Sequence, residues 1–269
     1  MKRSWKKWIF GSLSWKRLLG SLVFVYLCLL MVAVFFADRF IFLPPESTYV
    51  RDLDRLEVLT GPPELPLLHY EARGNYPTII WSHGNAEDLG GVTNIMDALS
   101  DMGFGVVAYE YPGYGLSEGK PTEDSVNAAA LQAYQYVREE LGVPPGKIVL
   151  CGQSVGSGPT LWLASQVPHV RVILIAPFMS AFRTATRIPL FPGDRFENHK
   201  RIGEVSSPLL IIHGTEDRVI SFSHGKKLFK LSPSRSKFFF PVEGAGHNNL
   251  YKSFSEKIFL AIHAFASPA

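Results

Sequence analysis

A serine between two glycines is the stretch of the sequence with the clearest chemical potential. The pattern Gly-x-Ser-x-Gly at residues 152–156 follows an apolar run at residues 147–150 and precedes a helix-like segment at residues 159–166. A strand, a sharp turn and a helix in this order hold the central serine in a strained backbone conformation, with its hydroxyl exposed above a sheet. The glycines are needed because a side chain there would collide with a neighbouring strand or helix. The pattern predicts a nucleophile at Ser154, and an ordinary Gly- and Ser-rich turn is the alternative.

An acid and a base follow two other apolar runs. Asp217 comes shortly after residues 209–212, and His247 comes shortly after residues 237–240. Because sites in open α/β sheets form beyond the carboxyl ends of the strands, we expect both side chains near Ser154. A neutral imidazole of His247 would accept the hydroxyl proton, and Asp217 would fix the imidazole tautomer and stabilise the imidazolium. The three residues predict covalent catalysis by an activated serine.

Two backbone N–H groups are candidates for stabilising the negative charge that develops on a substrate oxygen. One belongs to Val155, directly after the nucleophile, and the other belongs to Asn85, in the loop after the apolar run at residues 78–81. Losing one such preorganised donor typically costs about 2.7–4 kcal/mol of transition-state stabilisation. Asn85 and Val155 therefore form the predicted oxyanion hole.

Other polar residues near these motifs have simpler explanations. His83 and His213 each precede a glycine at a strand end, and we expect them to shape loops rather than to catalyse. Glu216 is the alternative acid beside Asp217. The turn at residues 111–115 matches neither a phosphate loop nor a dinucleotide fingerprint, and no metal-ligand spacing such as H-E-x-x-H occurs. We therefore expect neither a cofactor nor a bound metal.

Continuous apolar runs of strand length alternate with helical patterns. Continuous rather than alternating apolarity is typical of strands that are buried on both faces, as in a parallel sheet covered by helices. The predicted strands are residues 78–81, 106–109, 148–150, 172–175, 209–212 and 237–240, with a candidate edge strand at 56–59. The predicted helices are residues 88–102, 122–141, 159–166, 221–231 and 250–265. This order predicts a doubly wound, mostly parallel α/β sheet of about eight strands.

An uncharged, strongly apolar segment occupies residues 18–37. As a helix it is long enough to cross a hydrocarbon core of about 30 Å. A cleaved signal peptide has a shorter apolar region and small residues at its cleavage site, so we favour an uncleaved membrane anchor. Six basic residues precede the segment, whereas Arg39 follows it beside Asp38. The positive-inside rule predicts a cytoplasmic N-terminus and a main domain on the opposite side, which is periplasmic, lumenal or extracellular.

These features divide the chain into four parts. We expect a basic cytoplasmic N-terminus at residues 1–17, a transmembrane helix at 18–37, a proline-rich membrane-exit segment at 38–66 and a catalytic domain at 67–269. Six of the 27 basic residues and none of the 24 acidic residues precede residue 38, so the rest of the chain is mildly acidic. That balance argues against nucleic acid as a partner. The two cysteines predict no disulfide framework.

The motifs resemble those of the α/β-hydrolase superfamily, and within it the family-17 α/β-hydrolase-domain proteins, which are membrane-associated protein depalmitoylases. The stretches that carry the resemblance are residues 82–86 with 88–90, 113–115 leading to 119–121, 152–156, 211–217 with 222–225, and 242–248. The chain order Ser, Asp, His is also that of this superfamily. The resemblance covers about residues 76–250 and implies that Ser154 is the nucleophile, Asp217 the acid and His247 the base.

The sequence departs from the family pattern in two places. The depalmitoylases attach to membranes through an acylated cysteine-rich N-terminus, whereas this chain has an apolar helix, and Glu110 stands where the family usually has Asp. Residues 178–207 leave room for only a short lid, which predicts an open, membrane-facing site. The candidates for an apolar wall, or equally for ordinary core, are Phe178, Phe182, Phe191 and Phe196.

The apolar segment and the resemblance together predict a single-pass, membrane-anchored serine hydrolase. The resemblance implies that it cleaves acyl esters or thioesters through an acyl-enzyme intermediate, with a depalmitoylase-like thioesterase as its specific form. The expected partners are the membrane and an acylated lipid, acyl-protein or small ester. A general carboxylesterase or lysophospholipase is the alternative within the enzyme class. A catalytically silent, membrane-tethered binding protein is the alternative outside it, although a binding protein has no need to retain Ser154, Asp217 and His247 together.

Overall fold

A long apolar helix precedes the globular part of the chain. The computed structural model describes residues 15–61, 63–186 and 189–268. Helix α1 spans Trp15–Ile41 and has a mean hydropathy of 2.7 in its most apolar window, so its length and composition suit a membrane span. It extends beyond the predicted segment 18–37 at both ends. Residues 1–14 of the predicted basic N-terminus lie outside the described residues.

An eight-stranded sheet forms the centre of the globular part. The strands are β1 (Leu56–Leu59), β2 (Leu65–Tyr70), β3 (Thr78–Ser82), β4 (Gly105–Tyr109), β5 (Ile148–Gln153), β6 (Arg171–Ile175), β7 (Leu209–Gly214) and β8 (Lys237–Val242). Their order across the sheet is β1-β2-β4-β3-β5-β6-β7-β8. Strands β3 to β8 run parallel, whereas β2 is antiparallel to both of its neighbours. This mostly parallel sheet confirms the predicted fold class, although β2 is not among the predicted strands.

Helices cover both faces of the sheet. They are α2 (Leu89–Asp101), α3 (Glu123–Gln135), α4 (Ser157–Gln166), α5 (Ala181–Thr186), α6 (Asn198–Arg201), α7 (Phe222–Leu231) and α8 (Leu250–Ala266). Residues of α3, α4 and α7 belong to one apolar cluster, and residues of α2 and α8 belong to the other. In β5, Ile148 and Leu150 join the first cluster, whereas Val149 and Cys151 join the second. Both faces of a strand are therefore buried, which explains the continuous apolar runs.

Side chains cap the two helices that follow β3 and β4. Asp88 accepts a hydrogen bond from the N–H of Gly91 at 2.9 Å and so begins α2. Thr122 and Ser125 exchange side-chain-to-backbone hydrogen bonds at the start of α3. These bonds satisfy N–H groups that have no partner within the helix.

The chain between α1 and β1 is bonded to the globular part at several points. Thr48 donates its backbone N–H to Asp88 at 2.6 Å. The hydroxyl of Tyr49 donates to the buried carboxylate of Glu110 at 2.8 Å. Strand β1 and the first residues of β2 also lie within residues 38–66, so the segment predicted as a membrane exit contributes to the sheet.

Candidate active site

Ser154 lies at a sharp turn between the central strand β5 and helix α4. Its φ of 52° is in the left-handed region, which residues with a Cβ rarely adopt. A Cβ on Gly152 would collide with the carbonyl of Gly156. A Cβ on Gly156 would collide with the carbonyls of Ser82 and His83, where β3 ends. The two glycines therefore permit the turn in the way that the motif predicts.

Side chains from the ends of three strands form a hydrogen-bonded chain. Oγ of Ser154 lies 3.0 Å from Nε2 of His247. Nδ1 of His247 lies 2.7 Å from Oδ2 of Asp217. These residues follow β5, β8 and β7, whose carboxyl ends lie at the same edge of the sheet. The structure thus brings together the three residues that the sequence analysis singled out, while their catalytic roles remain predictions.

The carboxylate of Asp217 is bound at both oxygens. Oδ1 accepts the backbone N–H groups of Val219 at 2.9 Å and Ile220 at 2.8 Å. Oδ2 lies 2.7 Å from Nδ1 of His247 and 3.5 Å from Nε2 of His213. Burial raises the pKa of this carboxyl, but hydrogen bonds from both histidines and from Ile220 outweigh burial and hold the pKa well below its ordinary value. Asp217 is therefore an anion at neutral pH.

The buried side chain of His213 contacts the carboxylate of Asp217. Its ring is fully buried, and Nε2 lies 2.9 Å from the carbonyl of Ile220. A Cβ on Gly225 of helix α7 would collide with the ring, so this helix closes directly over it. The predicted loop-shaping residue consequently also contacts Asp217. In the sequence, the indication of this contact is that His213 lies four residues before Asp217.

The predicted oxyanion donors lie on adjacent segments of the fold. Val155 is the residue after the nucleophile, and Asn85 lies in the loop between β3 and α2, which we call the oxyanion loop (residues 83–88). Strands β3 and β5 are neighbours in the sheet, so this loop lies beside the turn at Ser154. The Asn85 side chain binds other parts of the chain: its Nδ2 donates to the carbonyl of Ile41 at 2.6 Å.

His83, the first residue of the oxyanion loop, contacts a buried glutamate. Nε2 of His83 is 3.1 Å from Oε1 of Glu110, and both side chains are fully buried. The His83 ring stacks on Tyr111 with a centroid distance of 3.8 Å. Burial lowers the pKa of His83, but the hydrogen bond and the charge of Glu110 outweigh burial and raise it above its ordinary value. These contacts match the loop-shaping role predicted for His83.

Glu87 is a titratable residue beside the site that the sequence analysis did not single out. Its carboxylate accepts the N–H of Gly84 at 2.9 Å and lies 3.4 Å from Nε2 of Gln153. Burial raises the pKa of Glu87, although the nearby charges of His83 and His247 act in the opposite direction. In the sequence, the indication that Glu87 lies near the site is its position in the loop between β3 and α2. Within the described part of the chain, no group of three or more His, Cys, Asp or Glu side chains is placed to hold a metal ion.

The four phenylalanines considered as an apolar wall fall into different environments. Phe178 and Phe196 are 3% and 0% exposed and belong to the core. Phe191 instead stacks on Tyr26 of α1 with a centroid distance of 5.7 Å. Phe182 is half-buried in α5. The core interpretation therefore applies to two of the four residues.

Known proteins share sequence similarity with this chain. Residues 75–191 match a family model described as serine aminopeptidase, S33. Alpha/beta hydrolase domain-containing protein 17C of Mus musculus is 42% identical over 187 residues, which cover 67% of this chain and 58% of the relative. The chain has an α/β-hydrolase fold. The similarity to protein 17C also confirms the predicted resemblance to the family-17 proteins and supports a hydrolase.

A second relative of this α/β-hydrolase comes from a nematode. Alpha/beta hydrolase domain-containing protein aho-3 of Caenorhabditis elegans is 38% identical over 191 residues, which cover 67% of this chain and 56% of the relative. The chain thus spans somewhat more than half the length of the curated relatives it matches.

Solved structures share the fold at low sequence identity. An esterase of Pyrococcus furiosus superposes with a TM-score of 0.66 at 14% identity, covering 83% of this chain and 96% of the esterase. A monoacylglycerol lipase of Paleococcus ferrophilus superposes with a TM-score of 0.60 at 19% identity, covering 78% of this chain and 98% of the lipase. At such identities the similarity concerns the α/β-hydrolase fold alone.

Replacing Gly156 with alanine is expected to destabilise the protein by about 1–3 kcal/mol, because the added methyl group meets backbone carbonyls that cannot rotate away. Gly146→Ala is the matched control, since a Cβ at that position meets nothing within 4 Å. Urea unfolding of both variants and the parent chain measures the difference. Equal stability of the two variants would contradict the close packing of the turn against β3.

Proposed function

We propose that this chain is a membrane-anchored serine hydrolase that cleaves acyl esters or thioesters through an acyl-enzyme intermediate. The observation that carries the proposal is the hydrogen-bonded chain from Ser154 through His247 to Asp217, with distances of 3.0 and 2.7 Å. The first distance suits a nucleophile and its general base, and the second suits that base and the group that orients it. Similarity to alpha/beta hydrolase domain-containing protein 17C and to the family model supports the same class of reaction.

The proposed reaction begins with proton transfer from Ser154. With Nδ1–H donating to ionised Asp217, Nε2 of His247 accepts the hydroxyl proton while Oγ attacks the carbonyl carbon. Backbone N–H groups of Val155 and Asn85 would bind the resulting oxyanion. The imidazolium then protonates the departing alcohol or thiol, which leaves an acyl-serine. Water, activated by the same imidazole, releases the carboxylic acid and restores the enzyme.

The proposed substrate class follows from the relatives and from helix α1. Fold neighbours include proteins described as an esterase and as a monoacylglycerol lipase. The resemblance to the family-17 depalmitoylases adds thioesters of lipid-modified proteins. A membrane-spanning α1 would keep the site close to acyl chains that partition into the bilayer. The acylated substrate and the membrane are therefore the proposed partners.

An uncharged loop lies along α1 and supports a membrane-facing site. We call residues 189–193, with the sequence Pro-Leu-Phe-Pro-Gly, the apolar loop. The hydroxyl of Tyr26 donates to the carbonyl of Leu190 at 3.3 Å, and the Tyr26 ring stacks on Phe191. The apolar loop therefore contacts the middle of the uncharged part of α1.

The position of the apolar loop follows from a second contact with α1. Nε of Arg195 donates to Oδ1 of Asp38 at 3.1 Å, just beyond the uncharged segment. Tyr26 precedes Asp38 by 12 residues, which is about 18 Å along the helix axis. Leu190 is 45% exposed in the absence of lipid. If α1 spans a membrane, the contact with Tyr26 places the apolar loop inside the hydrocarbon core, where its exposed leucine contacts acyl chains.

Two alternatives differ from this proposal in kind. A general carboxylesterase or lysophospholipase would use the same residues on a different acyl group. A silent binding protein would keep the fold without turnover, but the mutual contacts of Ser154, His247 and Asp217 favour an enzyme.

Substrate preference is the first test. We expect the full chain in detergent micelles to hydrolyse a palmitoyl thioester faster than a short-chain oxyester, because the apolar loop and α1 favour a long acyl chain. Ser154→Ala should abolish both activities, and Asp217→Asn should lower kcat by about 10⁴-fold because the imidazole loses its required tautomer. Steady-state kinetics on both substrates measures these effects. Preference for the short oxyester would favour a general esterase.

Labelling with a serine-reactive fluorophosphonate separates an enzyme from a binding protein. We expect labelling of the parent chain and of Ser165→Ala, whose hydroxyl donates to the carbonyl of Trp162 and accepts from Nε2 of Gln166, both within α4. Labelling should disappear in Ser154→Ala. A folded parent chain that fails to react would favour the silent binding protein.

Membrane depth tests the placement of the apolar loop. In a Cys28→Ser background reconstituted into phosphatidylcholine vesicles, a nitroxide attached at Leu190→Cys should be more accessible to oxygen than to a polar nickel relaxant. Leu260→Cys is the matched control, because Leu260 is 56% exposed on α8, whose buried residues belong to a different apolar cluster from Phe42 at the end of α1. Electron paramagnetic resonance measures both accessibilities. Equal, water-like accessibility at the two positions would show that the apolar loop lies outside the bilayer.

Topology is tested by protease protection. In sealed vesicles with the cytoplasmic face outward, we expect the globular part to resist added protease until detergent opens the vesicles, because the basic N-terminus favours the cytoplasmic side. Immunoblotting of a C-terminal tag follows the cleavage. Digestion in intact vesicles would place the globular part in the cytoplasm.

A further inference from the structure

The side chain of Asn85 binds the chain where it leaves α1. Its Nδ2 donates to the carbonyl of Ile41, the last residue of the helix, at 2.6 Å. Its Oδ1 accepts the backbone N–H of Leu43 at 2.9 Å and the hydroxyl of Tyr114 at 2.7 Å. The last carbonyls of a helix have no donor within the helix. Asn85 therefore caps α1 from the oxyanion loop.

The end of α1 is also fixed by packing. Phe42 is 3% exposed, and its ring packs edge-on against Phe196 at a centroid distance of 5.9 Å. A Cβ on Gly158 of α4 would collide with the ring of Phe196. The hydroxyl of Tyr114 accepts the N–H of Leu43 at 3.0 Å. Contacts thus run without a gap from the helix end to the segment that follows Ser154.

The same amide also holds the backbone of its own loop. Oδ1 of Asn85 accepts the N–H of Ala86 at 3.1 Å. Ala86 has a φ of 56°, in the left-handed region that a residue with a Cβ adopts only when its surroundings hold it there. One side chain therefore connects the helix end, Tyr114 and a strained residue of the oxyanion loop.

We propose that Asn85 is a positioning residue through which the end of α1 holds the oxyanion loop in its active geometry. The inference rests on the proposed function, in which the N–H of Asn85 binds the oxyanion. Donors of this kind act because they are preorganised, and a displacement of about 1 Å can cost about 100-fold in rate. In this arrangement α1 is part of the active site as well as the membrane anchor.

A purely structural tie between α1 and the globular part is the competing explanation, and the chain offers a matched control for it. Thr48 bonds the same exit segment to Asp88 through its backbone N–H and its hydroxyl. That tie ends at Asp88, the last residue of the oxyanion loop and the cap of α2, and not at the residue that supplies the oxyanion donor. Removing the Thr48 hydroxyl therefore weakens the attachment without releasing Asn85.

The test compares Asn85→Ala, Tyr114→Phe and Thr48→Val in the full chain, with a short-chain p-nitrophenyl ester as substrate. Asn85→Ala keeps its backbone N–H, so it should lower kcat by about 10–100-fold through misplacement alone and leave KM within about twofold. Tyr114→Phe should lower kcat by about 3–10-fold, because one of the bonds to Asn85 remains unmade. Thr48→Val should keep kcat within about twofold of the parent chain.

Hydrogen exchange adds a readout that is independent of turnover. Amides of residues 83–88 should exchange faster in Asn85→Ala than in the parent chain, and at the parent rate in Thr48→Val. An unchanged kcat in Asn85→Ala, or an equal loss in Thr48→Val, would overturn the positioning role. If Asn85→Ala does not fold, an unchanged kcat and exchange rate in Tyr114→Phe would overturn it.

Fluorophosphonate labelling tests the proposed function independently of the positioning role. A parent chain that is not labelled by fluorophosphonate contradicts the serine hydrolase, and exchange of residues 83–88 then still decides whether Asn85 couples α1 to the loop. A labelled parent chain with unaffected Asn85→Ala contradicts the positioning role alone.

Discussion

The left-handed backbone of Ser154 is the constraint on which the candidate site depends. A residue with a Cβ pays about 1–3 kcal/mol for such a conformation, so the surrounding structure must hold it. Strand β5 supplies that support because it lies inside the sheet, between β3 and β6. Gly156 lets the turn close onto the end of β3 without a steric clash. Parallel strands β7 and β8 then deliver Asp217 and His247 to the same edge.

Much of the fold could be predicted from the sequence because the strands are buried on both faces. Side chains of β5 alternate between two covered surfaces, so both surfaces demand apolar residues and the strand appears as one continuous run. Strand β2 escapes this pattern because Leu65–Tyr70 contains a proline and a histidine. It is also the antiparallel strand near the edge, where pairing with β1 and β4 depends on distant parts of the chain.

The candidate site is predictable where it depends on strand ends and hidden where it depends on tertiary contacts. Ser154, Asp217 and His247 each follow an apolar run closely, so the rule for parallel sheets places them at one edge. The contacts of Asn85 with the end of α1 join residues far apart in sequence, and no local pattern encodes them. The same limitation applies to Glu87, because its contacts with Gly84 and Gln153 form only when the oxyanion loop folds beside β5.

The attachments of the exit segment have a geometric consequence. A globular part joined to its anchor by a flexible linker would sample many distances from a membrane surface. Here Phe42, Thr48 and Tyr49 are all bound to the globular part, so its freedom to swing is small. Seated in a bilayer, such a protein would hold its serine hydroxyl at one height relative to the headgroups. It would act as a ruler, and molecules with identical acyl chains would differ in reactivity according to how far their labile bond stands from the lipid surface.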